Sequence, residues 1–528
     1  MASPKYIIAH DIGTSADKAV LVTVTGDIVG SCKSSYSLYY PQPAFAEHNP
    51  EELWQAICKN TRELLQITSV NPVDVVGITF SSLMQCLIAI DKQGKTLTPN
   101  ITWLDSRSAE IIREVLWTPP RVQGYNILKL LRFLRITGGA PGHTGKEQIG
   151  KLLWLQQYQP EVFRNTYKFL DVKDFIIFRM TGHCVTSVDL AVAWWLLDTR
   201  RHRNQWHPGL CRLAGITPER LSEVKESFAV IGGLTPAAAD AMGLSSKTAV
   251  INGAGDLSTN ALGSGAINEG ELYIALGTGN WVGGHFSRRK IDLAHYAGCI
   301  GSSYPQKYYL AVAVQETGAV CLEWFKNLVF PKGNSLRGEN VDDLNYQTLN
   351  DWAEQSPAGA RGLFFLPWMY GGERCPINDD LVRAAFFNLS LHHGPSEMVR
   401  AIFEGVAFNI RWALETLQNL YQPVEGLGIV GGGARSDLWC QIIADITGKK
   451  IQQVENPQLA GAKGVALLAS MTLGYLEKFE QIKDYIKIKK LFIPRDEHRS
   501  LYDSLFKEYK NLYFQNKKWF RRVNRIFS

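Results

Sequence analysis

What the sequence has little of narrows it first. Its nine cysteines (Cys32, Cys58, Cys86, Cys184, Cys211, Cys299, Cys321, Cys375, Cys440) are odd in number and scattered. No CxxC pair and no metal-ligand spacing occurs among them, which excludes a disulfide scaffold or a thiolate metal site and suits a reducing compartment. No apolar stretch approaches the roughly 20 residues that span a bilayer. The N-terminus runs into strand-like sequence without a charged-then-apolar leader, so the cytoplasm is the expected location. Net charge is only +6 over 528 residues, too little to call for nucleic acid. Low-complexity tracts, short repeats and Ser/Pro-rich linkers are absent. With 45% hydrophobic and 20% charged residues, disorder is excluded as well. Basic residues concentrate only at the end, in Lys517-Lys518-Trp519-Phe520-Arg521-Arg522. Such a tail can touch an acidic membrane surface, but a solvated tail or a last helix covering its own domain is the expectation, and no membrane partner is expected.

What is present is long enough for two or more domains. The chain opens with a strand meander, Tyr6–Ala9, Ala19–Val24 and Ile28–Ser31, with a turn at Thr25-Gly26-Asp27. Asn49 caps a helix that starts at Pro50. Val73–Phe80 and Cys86–Ile90 read as further strands, and residues 106–250 as a more helical, aromatic-rich region. A second strand-rich block begins at Ala249 and repeats the early pattern, with strands at Glu271–Leu276 and Trp281–His285 and a late one at Leu427–Val430. Strands followed by alternating strands and helices give an α/β layer fold. The expected boundary divides it into 1–253 and 254–528, two lobes joined by ordered chain around a cleft.

The chemistry gathers at glycine turns. Asp11-Ile12-Gly13-Thr14-Ser15 follows the first strand, and Leu276-Gly277-Thr278-Gly279-Asn280 occupies the matching place in the second half. Each is a strand running into a tight turn with small hydroxylated residues, which lets backbone N–H groups approach phosphate oxygens. One such turn has a purely conformational explanation; two at matching places point to a nucleotide held between related lobes. Asp256, in Asn252-Gly253-Ala254-Gly255-Asp256, lies past a short apolar strand. It either accepts the proton of a substrate hydroxyl during phosphoryl transfer or caps the next helix. Asp11 either binds Mg²⁺ or bonds its own turn, and Lys18 reads as solvated rather than as a phosphate ligand. Gly431-Gly432-Gly433-Ala434, after the late strand, reads as a nucleotide-binding turn leading into a helix. Phe80–Gln85 is a polar segment suited to a substrate pocket. Asp105 and Arg107, two apart after Trp103, share a strand face if the segment is extended. They then hydrogen-bond sugar hydroxyls or form a structural ion pair.

Taken in order, with Gly371-Gly372-Glu373-Arg374 and the helix Ala401–Phe408 added, these pieces resemble the FGGY carbohydrate kinases over nearly the whole chain. The resemblance implies a two-lobed actin/Hsp70/hexokinase-type fold, two ribonuclease H-like domains around a central cleft. It implies ATP and Mg²⁺ as cofactors, Asp256 as catalytic base, and Asp11 with Asp256 at the metal. Gly13, Thr14, Ser15, Gly277, Thr278 and Gly279 would cradle phosphates, with Gly432, Gly433 and Ala434 at adenosine. Met84, Gln85, Asp105, Arg107 and Asp256 would hold a small-molecule sugar; a homodimer is the assembly allowed for. Thr137–Gly142 and Phe169–Asp174 look like xylulose kinases, and Phe80–Met84 with Leu87–Asp91 is similar to gluconate kinases. The chain departs from both at Gln85, where His is usual, and at Gly279, where Ser is common. The expectation is ATP-dependent phosphorylation of D-xylulose, with gluconate as the alternative and a non-catalytic sugar- or nucleotide-binding protein behind both.

Overall fold

Apolar strands that alternate with amphipathic helices bury their faces only by layering, and the chain does so twice. The structure, a computed structural model, describes residues 4–122, 124–200, 203–330 and 341–526. In the first lobe β1 (Tyr6–Ile12), β2 (Ala16–Thr23) and β3 (Ile28–Ser35) form an antiparallel meander. Parallel to β1 runs β4 (Val75–Ser82). The sheet continues through β6 (Ala249–Ile251) to an antiparallel edge, β5 (Val230–Gly233), while the short β7 (Ala254–Gly255) pairs with the end of β4.

The second lobe repeats this topology. An antiparallel set, β8 (Leu272–Leu276), β9 (Asn280–Phe286) and β11 (Tyr309–Gln315), is followed by parallel β12 (Gly426–Val430) and β13 (Lys450–Val454). Its edges are β10 (Gly298–Gly301) and the antiparallel β14 (Ile488–Phe492). The β1–β2 and β8–β9 turns therefore occupy equivalent positions. This is the two-lobed α/β architecture expected from the sequence.

Helix α1 (Pro50–Thr68) starts where anticipated, with the Asn49 side chain accepting from the Glu51 amide at 3.0 Å. Helices α2 (Gln148–Tyr158) and α3 (Val172–Thr181) follow in the aromatic-rich region. Two further helices join the lobes. The first, α4 (Asp256–Gly263), follows β7 yet contributes Ala261 to the second lobe's core, against Tyr273 and Ala275. In return α7 (Ala460–Thr472) lays Ala462, Val465 and Ala466 on Ile7, Ala9 and Val20 of the first sheet. They cross at glycines: a methyl group at Gly263 would stand 1.9 Å from the Ala460 carbonyl oxygen, and one at Gly464 2.4 Å from that of Thr259.

The second lobe's core gathers on the long α5 (Pro395–Leu420), which includes the expected helix Ala401–Phe408. The basic tail forms α8 (Asp496–Asn524), which buries Tyr502, Phe506, Tyr509, Tyr513 and Phe520 in the same core. Of the two readings expected, a solvated tail or a helix covering its own domain, it is the second. No helix among the described residues is long and apolar enough to cross a membrane, and all nine cysteines are unpaired.

Candidate active site

Between the lobes lies a cavity of about 340 Å³ whose walls carry both glycine turns together with Asp11, Met84, Gln85 and Asp256. The first turn closes with the Gly13 amide donating to the Ala16 carbonyl at 3.0 Å. Three side chains then pin it: Tyr36 donates to the Gly13 carbonyl, His48 Nε2 to the Thr14 carbonyl at 2.8 Å, and the Trp103 indole to the Thr14 hydroxyl at 2.9 Å. The second turn is held from beneath, where the Gly318 amide donates to Thr278 at 2.9 Å and that of Ala319 to Gly277 at 2.7 Å.

Backbone strain does not explain these glycines. Gly13, Gly277 and Gly279 all lie outside the left-handed region. A methyl group at Gly277 or Gly279 would meet nothing nearer than 3.5 Å. What a side chain would fill is the cavity, and close approach of a ligand is the reason left for glycine. Thr14 and Thr278 line the same space, whereas Ser15 is exposed on the outer edge of the turn and takes no part in the wall.

The triple-glycine turn packs against the end of β8 and not around the cavity. Gly431 has φ +98°, and a methyl group there would lie 2.5 Å from the Leu276 carbonyl oxygen; at Gly433 it would strike the Leu276 side chain at 2.6 Å. The turn does not run straight into a helix as its sequence suggested. A 3₁₀ turn over Gly433–Arg435 intervenes, and α6 (Asp437–Thr447) starts only after Ser436, which caps it through the Trp439 amide at 3.0 Å. The Ala434 side chain is buried and Gly433 half-buried, whereas Gly432 is exposed, and a methyl group placed on it would find nothing within 4 Å among the described residues.

Asp256 is the first residue of α4 and is positioned by a buried polar network. Gly253, at φ +75°, presses so close to β4 that a methyl group would lie 2.1 Å from the Phe80 carbonyl oxygen. Lys173 donates to the Asn252 side chain at 2.7 Å, Asn252 donates to the Thr186 and Glu226 carbonyls, and the Gly255 amide donates to Asp189 at 2.8 Å. Sequence reasoning missed these partners; the signal for one was Lys173, beside Asp174 in the otherwise apolar first turns of α3. The Met84 sulfur lies 2.7 Å from where a Gly255 methyl would stand, so Met84 packs beside the segment that carries Asp256.

Burial, and then the charge of Asp11, push the Asp256 carboxyl up to about 7. Asp11 accepts from Ser81 at 2.9 Å and from Lys18 at 3.3 Å. Lys18 is therefore a cavity residue paired with Asp11 and not the solvated lysine anticipated. Among the described residues no cluster of three metal-ligating side chains exists. Two carboxylates on one cavity, close enough for one to feel the other, nevertheless suit Mg²⁺, which uses one or two carboxylates and takes its remaining ligands from phosphate and water.

Asp105 and Arg107 require correction. They sit on a turn, not a strand, and neither lines the cavity. Asp105 is fully buried; it accepts from the Ala46 amide at 2.8 Å and from Arg107 Nε at 2.9 Å. Arg107 also reaches Glu47 at 2.5 Å and stacks over Phe45, 3.7 Å from the ring centroid. Their role in this structure is the ion pair behind Trp103. Gln85 does face the cavity, at φ +63°, with its carbonyl accepting from buried Lys151 at 2.5 Å. Glu147, Trp195, Tyr296 and Arg374 line the cavity too, and no local motif pointed to them as a group.

Residues 6–263 match the N-terminal domain, and residues 272–473 the C-terminal domain, of the FGGY family of carbohydrate kinases. The chain belongs to that family. It is a sugar kinase, and its family uses ATP. The xylulose kinase of Bacillus subtilis (strain 168) is 28% identical over 519 residues, 97% of each chain. The crystal structure of gluconate kinase from Lactobacillus acidophilus has a TM-score of 0.84 at 28% identity, covering 99% of this chain and 100% of its own. Ligand-bound xylulose kinase from the same organism has a TM-score of 0.84 at 28% identity, covering 98% and 100%. These FGGY relatives divide between two sugars at equal similarity, so the choice of substrate rests on the cavity itself.

Proposed function

We propose that this FGGY kinase transfers the γ-phosphate of ATP to the terminal hydroxyl of a keto-sugar, D-xylulose, giving D-xylulose 5-phosphate, with Asp256 as general base. The observation that carries the reading is that Asp256 stands on the same cavity as both glycine turns. Asp256 accepts the proton of the attacking hydroxyl as its oxygen bonds to phosphorus and the β–γ bridge bond breaks. A carboxyl raised to about 7 is suited to take up that proton and return it to solvent near neutral pH.

Backbone amides of Thr14, Thr278 and Gly279, with the Thr14 and Thr278 hydroxyls, cradle the phosphates beside Gly13 and Gly277, whose own amides close the turns, and Gly432 offers the open face for adenosine. Met84 and Gln85 bracket the sugar beside the base. Asp11 and Asp256 would hold Mg²⁺, which neutralises phosphate charge. Asp105 and Arg107 serve by fixing the turn that carries Trp103, and Ser15 has no assigned contact. Gluconate is the second reading, favoured by the equal likeness to gluconate kinase.

The test is ADP release with ATP and Mg²⁺ against D-xylulose, L-xylulose, D-ribulose, L-ribulose, gluconate, glycerol and a no-sugar blank. Turnover on D-xylulose well above the rest is expected. Turnover on gluconate alone replaces the first reading with the second. Sugar-independent ADP release overturns both.

A further inference from the structure

Three residues on the walls of this cavity each carry a buried polar atom with no hydrogen-bond partner among the described residues: Glu147 Oε2, Arg374 Nη2 and Trp195 Nε1. Buried groups of this kind are normally satisfied, and these are two donors and one acceptor. Each is held in place from behind. Glu147, 2% exposed at the start of α2, uses its other oxygen to accept from the Gly142 amide at 3.1 Å. Arg374 Nε lies 2.5 Å from Glu316, which Lys146 reaches from the opposite lobe at 2.9 Å. Trp195 adopts φ +59°, rare for a bulky residue, with its ring against Gly139, where a methyl group would stand 2.7 Å away. The charges felt by Asp256 are those of Asp11, Asp189 and Lys18, whereas Arg374 feels Glu316 and Glu147. Arg374 and Glu147 therefore belong to a different stretch of the cavity from the base.

We propose that Glu147, Arg374 and Trp195 bind the hydroxyls of the sugar remote from the attacked one, and that Glu147 makes the site select an uncharged polyol chain over a sugar acid. The inference rests on the keto-sugar reading and names the residues that enforce it. A vicinal diol both donates and accepts, so it satisfies a carboxylate oxygen beside a guanidinium and an indole N–H. A substrate carboxylate would need a spare cation. The cations on the walls, among the described residues, are Lys18 and Arg374, and each already has a partner in Asp11 or Glu316. Asp11, Glu147, Asp256, Asp292 and Glu316 are the acids there, so the cavity repels a further anion unless backbone amides or a metal ion receive it.

Glu147→Gln keeps the shape and the bond to Gly142 while removing the charge, and it separates the possibilities. D-xylulose and gluconate are compared by kcat/KM and, so that the answer does not depend on turnover, by calorimetry with a non-hydrolysable ATP analogue. In the variant, preference for D-xylulose over gluconate is expected to fall about tenfold or more, the scale of one hydrogen bond to a charged group. Arg374→Lys, which retains charge but loses the fork, should weaken D-xylulose without improving gluconate. A wild-type preference for gluconate overturns both this inference and the keto-sugar reading. A wild-type preference for a neutral sugar that Glu147→Gln leaves unchanged overturns this inference alone.

Discussion

The indole N–H of Trp103 donates to the Thr14 hydroxyl at 2.9 Å, tying this residue of the cavity wall to the first glycine turn. The acceptor role leaves the Thr14 proton free to point at a phosphate oxygen. Trp103→Phe keeps the apolar wall and removes the tether. KM for ATP should rise about fivefold, matching the ~1 kcal/mol of a net hydrogen bond, with kcat little changed. Steady-state kinetics with ATP varied checks this, and an unchanged KM would remove the tether from the account.

Asp256→Asn should lower kcat about 10²–10⁴-fold, the usual worth of a general base. The Leu257 amide that donates to the carboxylate at 2.9 Å can donate equally to an amide oxygen, so the fold and ATP binding should survive. Near-normal turnover in a folded variant would sink the assignment.

At the second turn, Gly277→Ala introduces a methyl group that meets no protein atom nearer than 3.5 Å. The melting temperature should therefore move little while KM for ATP rises about tenfold, ~1.4 kcal/mol. Gly433→Ala should do the reverse, lowering stability through its clash with Leu276 at 2.6 Å. Thermal unfolding beside ATP kinetics separates the ligand-facing glycine from the packing one.

His48 gives a pH dependence. Burial brings its ring down to about 4, and the neutral form suits its partners: Nε2–H donates to Thr14, and Nδ1 accepts from Asn100 at 3.1 Å. Between the ordinary value of 6.5 and 4 the unfolded chain takes up the proton and the folded chain does not. Stability is therefore fully present above 6.5 and is lost as pH falls toward 4, in total about 3 kcal/mol at 1.36 kcal/mol per unit. His48→Gln should flatten that part of a stability-versus-pH curve; an unaltered slope would contradict it.

Arg107→Met leaves Asp105 buried without its cation, which typically costs about 3–5 kcal/mol. Denaturant unfolding should show that loss. Below the lowered unfolding temperature, KM for the sugar should be nearly unchanged, because Arg107 lies off the cavity wall. A selective rise in sugar KM without destabilisation would restore Arg107 as a sugar ligand.

The strands and the two glycine turns were legible because apolar runs ending in Gly-Thr are local signals, and Asn49-Pro50 marked a helix start for the same reason. Spacing misled at Asp105 and Arg107: two residues apart share a face only on a strand, and residues 103–108 form turns. Gly431 and Gly433 read as nucleotide glycines but answer to Leu276, a neighbour brought close by β8–β12 pairing. Glu147, Trp195, Tyr296 and Arg374 come from four separate segments and meet only once the lobes face each other, so no window of sequence contains them. The Lys173–Asn252 bond likewise spans 79 residues.

The glycine crossing of α4 and α7 bears on the mobility of Asp256. It meets α4 at Thr259 and Gly263, and Asp256 begins that helix, so at 1.5 Å rise per residue its backbone stands about 4–10 Å from the crossing. For a rotation of one lobe against the other about that fulcrum, displacement grows with distance from it. Trp103 and Tyr370, whose rings meet edge to face at 6.3 Å, come from opposite lobes, and a rotation that parts them would leave Asp256, close to the fulcrum, displaced only slightly.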